Sequence, residues 1–127
     1  MPMLSKYKVI TPIAVNDLEN ALDFYGNVLG LKRVEENVAG HLFESGGGLI
    51  GLHQSPTAGS GQATCAWWTV DNVEDTVEDL KSRGVEFEQN YDLPHIEQHG
   101  GIYIMGKNER AAWFRDPDGN TLGLGNF

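Results

Sequence analysis

The side chains that could move a proton or hold a metal ion are His41, Glu44, His53, His95 and His99, with Cys65 as the sole thiol. Only His95 and His99 stand four apart, and they lie in a loop-like stretch rather than on the helix that a known i, i+4 metal motif requires. His41 and Glu44 stand three apart in a predicted strand, so strand alternation points them to opposite faces. His53 and Glu44 are the candidates for acid–base work, with the loop histidines beside them. His95 and His99 fall in a loop-like stretch, Tyr91 to Gly101, that also carries Pro94. Sequence adjacency supplies no cation to lower the pKa of Cys65, so a small buried hydrophobe is expected there rather than a nucleophile. Neighbouring Trp67 and Trp68 must face opposite sides of a strand, with Cys65 sharing the face of Trp67. Of Trp113 and Phe114, one faces the same way as Trp67, and the register decides which. The tryptophans fit either core packing or ligand stacking. No motif for serine or cysteine hydrolysis, dinucleotide binding or Walker-type phosphate binding is present.

The elements that must position these residues come in two copies. Val15-Asn16-Asp17-Leu18-Glu19-Asn20-Ala21-Leu22 is echoed 55 residues later by Val70-Asp71-Asn72-Val73-Glu74-Asp75-Thr76-Val77. A period of this length occurring only twice indicates two copies of one supersecondary unit, since a solenoid needs at least about three repeats to bury its faces. In the first copy, Tyr7, Val9, Ile10, Ile13 and Val15 form a β-rich run. A helix then starts at the cap Asp17, with an apolar stripe through Leu18, Ala21, Leu22, Tyr25, Val28 and Leu29, and ends at Gly30. Strands follow near 31 to 36, 39 to 45 and 48 to 53, with Gly46-Gly47-Gly48 as the turn between the last two. Pro56 to Gln62 is linker-like. The second copy predicts a strand near 64 to 70, a helix capped by Asn72, a strand near 85 to 88, and two more strands around the turn Asp116-Pro117-Asp118-Gly119-Asn120. Each copy therefore reads β-α-β-β-β, an α+β architecture with helices outside small sheets. The expected organisation is one domain over 1–127, with module one about 7–54, a linker about 55–63 and module two about 64–126.

Composition narrows the function. At 127 residues the chain can bury roughly two thirds of its unfolded surface as one domain. Its formal net charge of −9 disfavours nucleic acid and anionic membranes as partners and mildly favours cationic ligands, besides keeping the protein soluble. A single cysteine rules out an internal disulfide framework and fits a reducing compartment. The opening Met1-Pro2-Met3-Leu4-Ser5-Lys6 lacks the apolar run of a secretory signal, and no segment reaches the roughly 18 apolar residues of a membrane span. A cytoplasmic location is expected.

The segments Val15 to Tyr25, Val28-Leu29-Gly30-Leu31 and Trp113-Phe114-Arg115-Asp116-Pro117-Asp118-Gly119-Asn120 resemble the opening module and closing hairpin of the vicinal oxygen chelate superfamily, which includes glyoxalase I, extradiol dioxygenases and bleomycin-resistance proteins. Val70 to Val85 resembles the start of its second module. The resemblance implies a curved sheet from each module, the pair forming a cup, and often a homodimer. It also implies four metal-holding positions, which here are Ile10, Gly51, Cys65 and Gly123. Isoleucine and glycine offer no side-chain donor, and one thiol falls short of the roughly three protein ligands a catalytic divalent ion needs. No metal and no cofactor are therefore expected.

In the cup that the resemblance implies, His53 shares the parity of Gly51 and faces inward. Glycine at positions 51 and 123 is expected to leave open floor, with Trp67, Trp113 and Cys65 beside it. The reading that follows is a metal-independent binding protein that sequesters a small planar or cationic molecule. The alternative is a glyoxalase-related lyase or isomerase with a non-standard acid–base site at His53, Glu44 or a loop histidine.

Overall fold

In the computed structural model, which describes residues 4–37, 40–91, 93 and 95–127, nine strands form two sheets. The first contains β1 (Ile10–Val15), β2 (Lys32–Asn37), β3 (Gly40–Ser45) and β4 (Gly48–Gln54) in the order β1-β4-β3-β2. The second contains β5 (Thr64–Thr69), β6 (Gln98–His99), β7 (Ile102–Ile104), β8 (Arg110–Arg115) and β9 (Thr121–Gly125) in the order β5-β9-β8-β7-β6. In each sheet the strand that opens the module runs parallel to the strand that closes it, β1 to β4 and β5 to β9, and the remaining pairs are antiparallel. The repeat seen in the sequence is thus a repeat of topology.

Both helices begin as their caps dictate. Asp17 accepts from the Asn20 amide at 3.2 Å to start α1 (Leu18–Asp23), and Asn72 accepts from the Asp75 amide at 2.9 Å to start α2 (Val73–Ser82). Gly84, at φ +94°, closes α2 by taking the left-handed position that a Cβ would strain. The first helix departs from the regular stripe expected of it. After Asp23 it widens into a π-helical turn, Phe24–Val28, and this turn brings Tyr25 into the core while Phe24 packs edge-on against it, ring centroids 5.3 Å apart.

One apolar cluster spans both modules. Ile13, Val15, Phe43 and Leu52 from the first sheet meet Val73, Val77, Phe87, Phe114, Leu122 and Leu124 from the second module. Trp68 ties the sheets together: its indole stacks on Phe114 at 6.4 Å, and its Nε1 donates to Ser45 Oγ at 2.9 Å across to the β3–β4 turn. The linker-like segment is docked as well, since the Gly59 amide donates to Asn120 Oδ1 at 3.2 Å.

Two expectations change. Residues 85–88 do not form a strand: a single bridge, Phe87 to Phe114, and the bond from the Glu88 amide to the Trp113 carbonyl hold them on β8. The stretch from Tyr91 to Gly101 is loop-like apart from β6, and Pro94 lies outside the described residues.

Candidate functional site

The register that the sequence left open is set by cross-strand pairs. Trp67 pairs with Gly123, and Gly123 pairs with Trp113, so both indoles stand on one face of the second sheet. Phe114 points the other way into the core, at 2 % exposure. On the indole face, Trp113 meets Trp67 at 6.1 Å, Tyr91 at 5.1 Å and Tyr103 at 5.3 Å, the last two edge-to-face. Phe127 extends the group, 5.6 Å from Trp67. Five aromatic rings thus form a continuous cluster, with Tyr103 sealed beneath at 1 % exposure while Trp67 at 37 % and Phe127 at 54 % face solvent. The residues bring area and a negative π face that suits planar and cationic groups.

Tyr91, Tyr103 and Phe127 were not singled out from the sequence. The alternation within Ile102-Tyr103-Ile104 was a signal for a strand, but only the pairing of Tyr103 with Ala111 places it on the Trp113 face. Nothing in the sequence marked Phe127.

The glycines at the implied metal positions do not leave open floor. A Cβ on Gly123 would fall 2.8 Å from Trp67 Cε3 and 2.9 Å from Trp113 Cδ1 and Nε1. A Cβ on Gly51 would meet Ile10 Cγ2 and Leu42 Cδ2, each at 3.2 Å. Both floors are already covered, one by indole and the other by aliphatic carbon. The donor set does not fit a divalent ion, because Ile10, Gly51 and Gly123 carry no donor and Cys65 alone cannot make a ligand set.

Cys65 is exposed rather than buried, and its Sγ has only a 3.7 Å contact to the Ala63 carbonyl. Exposure alternates along β5, with Cys65, Trp67 and Thr69 outward and Ala66 and Trp68 half-buried, so Cys65 shares the outward face of Trp67 beside the step in the pairing with β9 from Thr64–Thr121 to Ala66–Leu122.

The acid–base candidates remain apart. Glu44 pairs with Leu49 and His53 with Ala14, which places both on the Gly51 face of the first sheet. Leu49 and His53 are four residues apart on β4, so Glu44 and His53 are separated by about 13 Å along the strand. His53 is half-buried and Glu44 exposed. His41, on the opposite face as expected, accepts at Nδ1 from Arg33, whose guanidinium also pairs with Glu36 at 3.2 Å. His95 is exposed and sits at φ +64°. His99 lies on β6, at the far end of the second sheet from β5 and thus about 19 Å from it, and faces Glu97 at 3.7 Å.

The closing turn does more than turn. Asp116, at 4 % exposure, accepts from the Tyr25 hydroxyl at 2.8 Å, the Asn120 amide at 2.8 Å, the Asp118 amide at 3.0 Å and Asn120 Nδ2 at 2.8 Å. Asn120 Nδ2 also donates to the Ala14 carbonyl of β1 at 2.7 Å. Burial, then the charge of Asp116 and its hydrogen bond, hold the Tyr25 phenol far above its ordinary range, so Tyr25 stays a proton donor. Burial likewise raises Tyr91, against the opposing influence of the Thr121 hydroxyl and Arg115. The contact to Thr121 is not a well-formed hydrogen bond, and Thr121 Oγ1 is buried with no partner among the described residues.

A hollow of about 600 Å³ lies apart from the indoles. It lies behind Phe114, bounded by residues 84–90 and 115–117. A crevice of about 290 Å³ runs from Trp67 toward Val9, Thr11 and Leu49, where the two sheets adjoin.

Known proteins share this fold. TnmS3, an antibiotic binding protein from Streptomyces sp. CB03234, is 25% identical over 93% of each chain, with a TM-score of 0.66. A glyoxalase/bleomycin resistance protein from the same organism is also 25% identical, over 93% of this chain and 98% of that one, with a TM-score of 0.64. A member of the glyoxalase/bleomycin resistance protein/dioxygenase superfamily from Sphaerobacter thermophilus DSM 20745 is 26% identical over 94% and 95% of the two chains, with a TM-score of 0.67. A search of curated proteins finds no match. The profile of the Glyoxalase/Bleomycin resistance protein/Dioxygenase superfamily matches residues 7–124, and with its two βαβββ-derived sheets in place this chain belongs to that superfamily.

Proposed function

We propose that this protein binds and sequesters a small planar compound on the aromatic face of its second sheet, without a metal ion. The observation that carries the reading is the continuous ring cluster of Trp67, Trp113, Tyr91, Tyr103 and Phe127, solvent-facing at Trp67 and Phe127. Metal independence is supported by the positions Ile10, Gly51 and Gly123, which carry no donor, and by the covering of the two glycines. A similar protein described as antibiotic binding points in the same direction. The net charge of −9 favours cationic over anionic ligands. The shared core supports treating the two modules as one domain, and we place the protein in the cytoplasm as a homodimer.

Titration of intrinsic fluorescence with proflavine, a planar cation, tests the reading. Saturable quenching is expected, and Trp67→Ala should weaken affinity by roughly 1 to 3 kcal/mol through lost area and stacking. Trp68→Ala should instead lower folding stability, because its indole packs on Phe114. His53→Ala and Glu44→Gln should leave affinity unchanged. Unchanged binding in Trp67→Ala, together with a reaction lost in His53→Ala, would reverse the conclusion in favour of an enzyme.

A further inference from the structure

We infer that Gly123 and Gly125 are positioning residues for the ligand surface: they seat the indole of Trp67 flat on the backbone of β9, so that its other face is presented to a planar ligand. The inference rests on the aromatic-surface reading above and deepens it, because it assigns the ligand's stacking geometry to two residues that carry no side chain.

The geometry is specific to this strand. A Cβ on Gly123 would fall 2.8 Å from Trp67 Cε3, and one on Gly125 would fall 2.5 Å from Cζ2 and 2.9 Å from Cη2 of the same ring. The six-membered edge of one indole therefore spans both glycines. Residues 123 and 125 are on one face by strand alternation, and both are fully covered although neither has a side chain to bury. Neither glycine has a positive φ, so the backbone conformation does not require glycine there. The required feature is space. A Cβ at 123 would also press on Trp113 at 2.9 Å, so a single methyl would displace both rings of the surface. At separations under 3.0 Å the rings must shift, and Trp67 can do so only by lifting off β9 toward solvent.

The first sheet makes the contrast. Gly51 sits at the corresponding place, but the atoms over it are Ile10 Cγ2 and Leu42 Cδ2, at 3.2 Å. The same empty position is thus roofed by aliphatic carbon in one module and by aromatic rings in the other. The ligand class that follows has one conjugated face, which stacks on the second module, and does not require aromatic contact on its opposite face. A carboxylate placed at 123 would expel the indoles rather than create an ion site.

The experiment compares wild type, Gly123→Ala, Trp67→Ala and the double variant by proflavine titration, tryptophan emission maximum and thermal unfolding. In Gly123→Ala the Trp67 ring should lift toward solvent, shifting emission to the red and reducing proflavine affinity on the order of tenfold while the protein remains folded. The fall in Tm caused by Gly123→Ala should be clearly smaller in the Trp67→Ala background, since the methyl then meets one ring instead of two. If Gly123→Ala alone does not fold, a double variant that does fold supports the seat, and one that does not overturns it. Wild-type affinity and emission in Gly123→Ala, with binding lost in Trp67→Ala, would overturn the seat and leave the aromatic surface standing. Equal binding by wild type and Trp67→Ala, or no binding by wild type, would overturn both.

Discussion

The Tyr25 hydroxyl and the Asp116 carboxylate join residues 91 positions apart at 2.8 Å, inside a core that otherwise has few polar groups. A buried carboxylate is stable there only because several donors converge on it. Tyr25→Phe removes one of them and should cost about 1 to 3 kcal/mol in denaturant unfolding. It should also flatten part of the alkaline dependence. The folded pKa of Tyr25 is raised above the unfolded value of about 10, so its contribution is fully present below that pH and is lost as pH rises beyond it, where only the unfolded state releases the proton. Unfolding free energy measured from pH 8 to 11 should fall less steeply in the variant. Cys65 makes the opposite kind of residue-scale forecast. Exposed on its bulge, it should react with iodoacetamide in the native protein nearly as fast as a free thiol at the same pH, and Cys65→Ser should cost less than about 0.5 kcal/mol. Slow labelling until denaturant is added would show the thiol to be shielded.

At the scale of elements, what was legible in the sequence was whatever local chemistry specifies. Asp17 and Asn72 cap as their types demand, and Gly46-Gly47 turn β3 into β4 with φ of +55° and +86°. The turn at Asp116 to Asn120 and the strands beside it also follow from residue type. What was not legible depended on pairing. Residues 85–88 have strand-like composition, yet only Phe87 bridges to β8, opposite Phe114. The exposure of Cys65 was not legible either, because whether the outward face of β5 is covered depends on packing that the local sequence does not set. The choice between Trp113 and Phe114 was settled by the same kind of non-local contact, through Gly123. The candidate site was therefore half legible: Trp67 and Trp113 could be named in advance, but the covering of Gly123 by both indoles could not.

At the scale of the molecule, the large apolar residues left in solvent are Leu4, Tyr7, Val9, Ile10, Val34, Trp67 and Phe127, among the described residues. Several of these lie on or beside β1 and β5, the strands along which the sheets adjoin. The homodimer proposed above would cover part of this surface, and Ile10→Asp should then shift sedimentation equilibrium from dimer toward monomer. Charge acts over the same distances. The net charge of −9 raises the local concentration of cations around an otherwise apolar ring surface, and its effect is screened over about 10 Å at 0.1 M salt. Raising sodium chloride from about 0.01 M to 0.5 M should therefore weaken proflavine binding several-fold, while a neutral planar ligand such as acridone should hold or gain affinity. Because stacking and burial do not depend on screening, the difference between the two ligands should shrink with salt toward a residue set by the rings alone. A proflavine affinity that is flat across the series would assign recognition wholly to the aromatic surface and none of it to the charge of the chain.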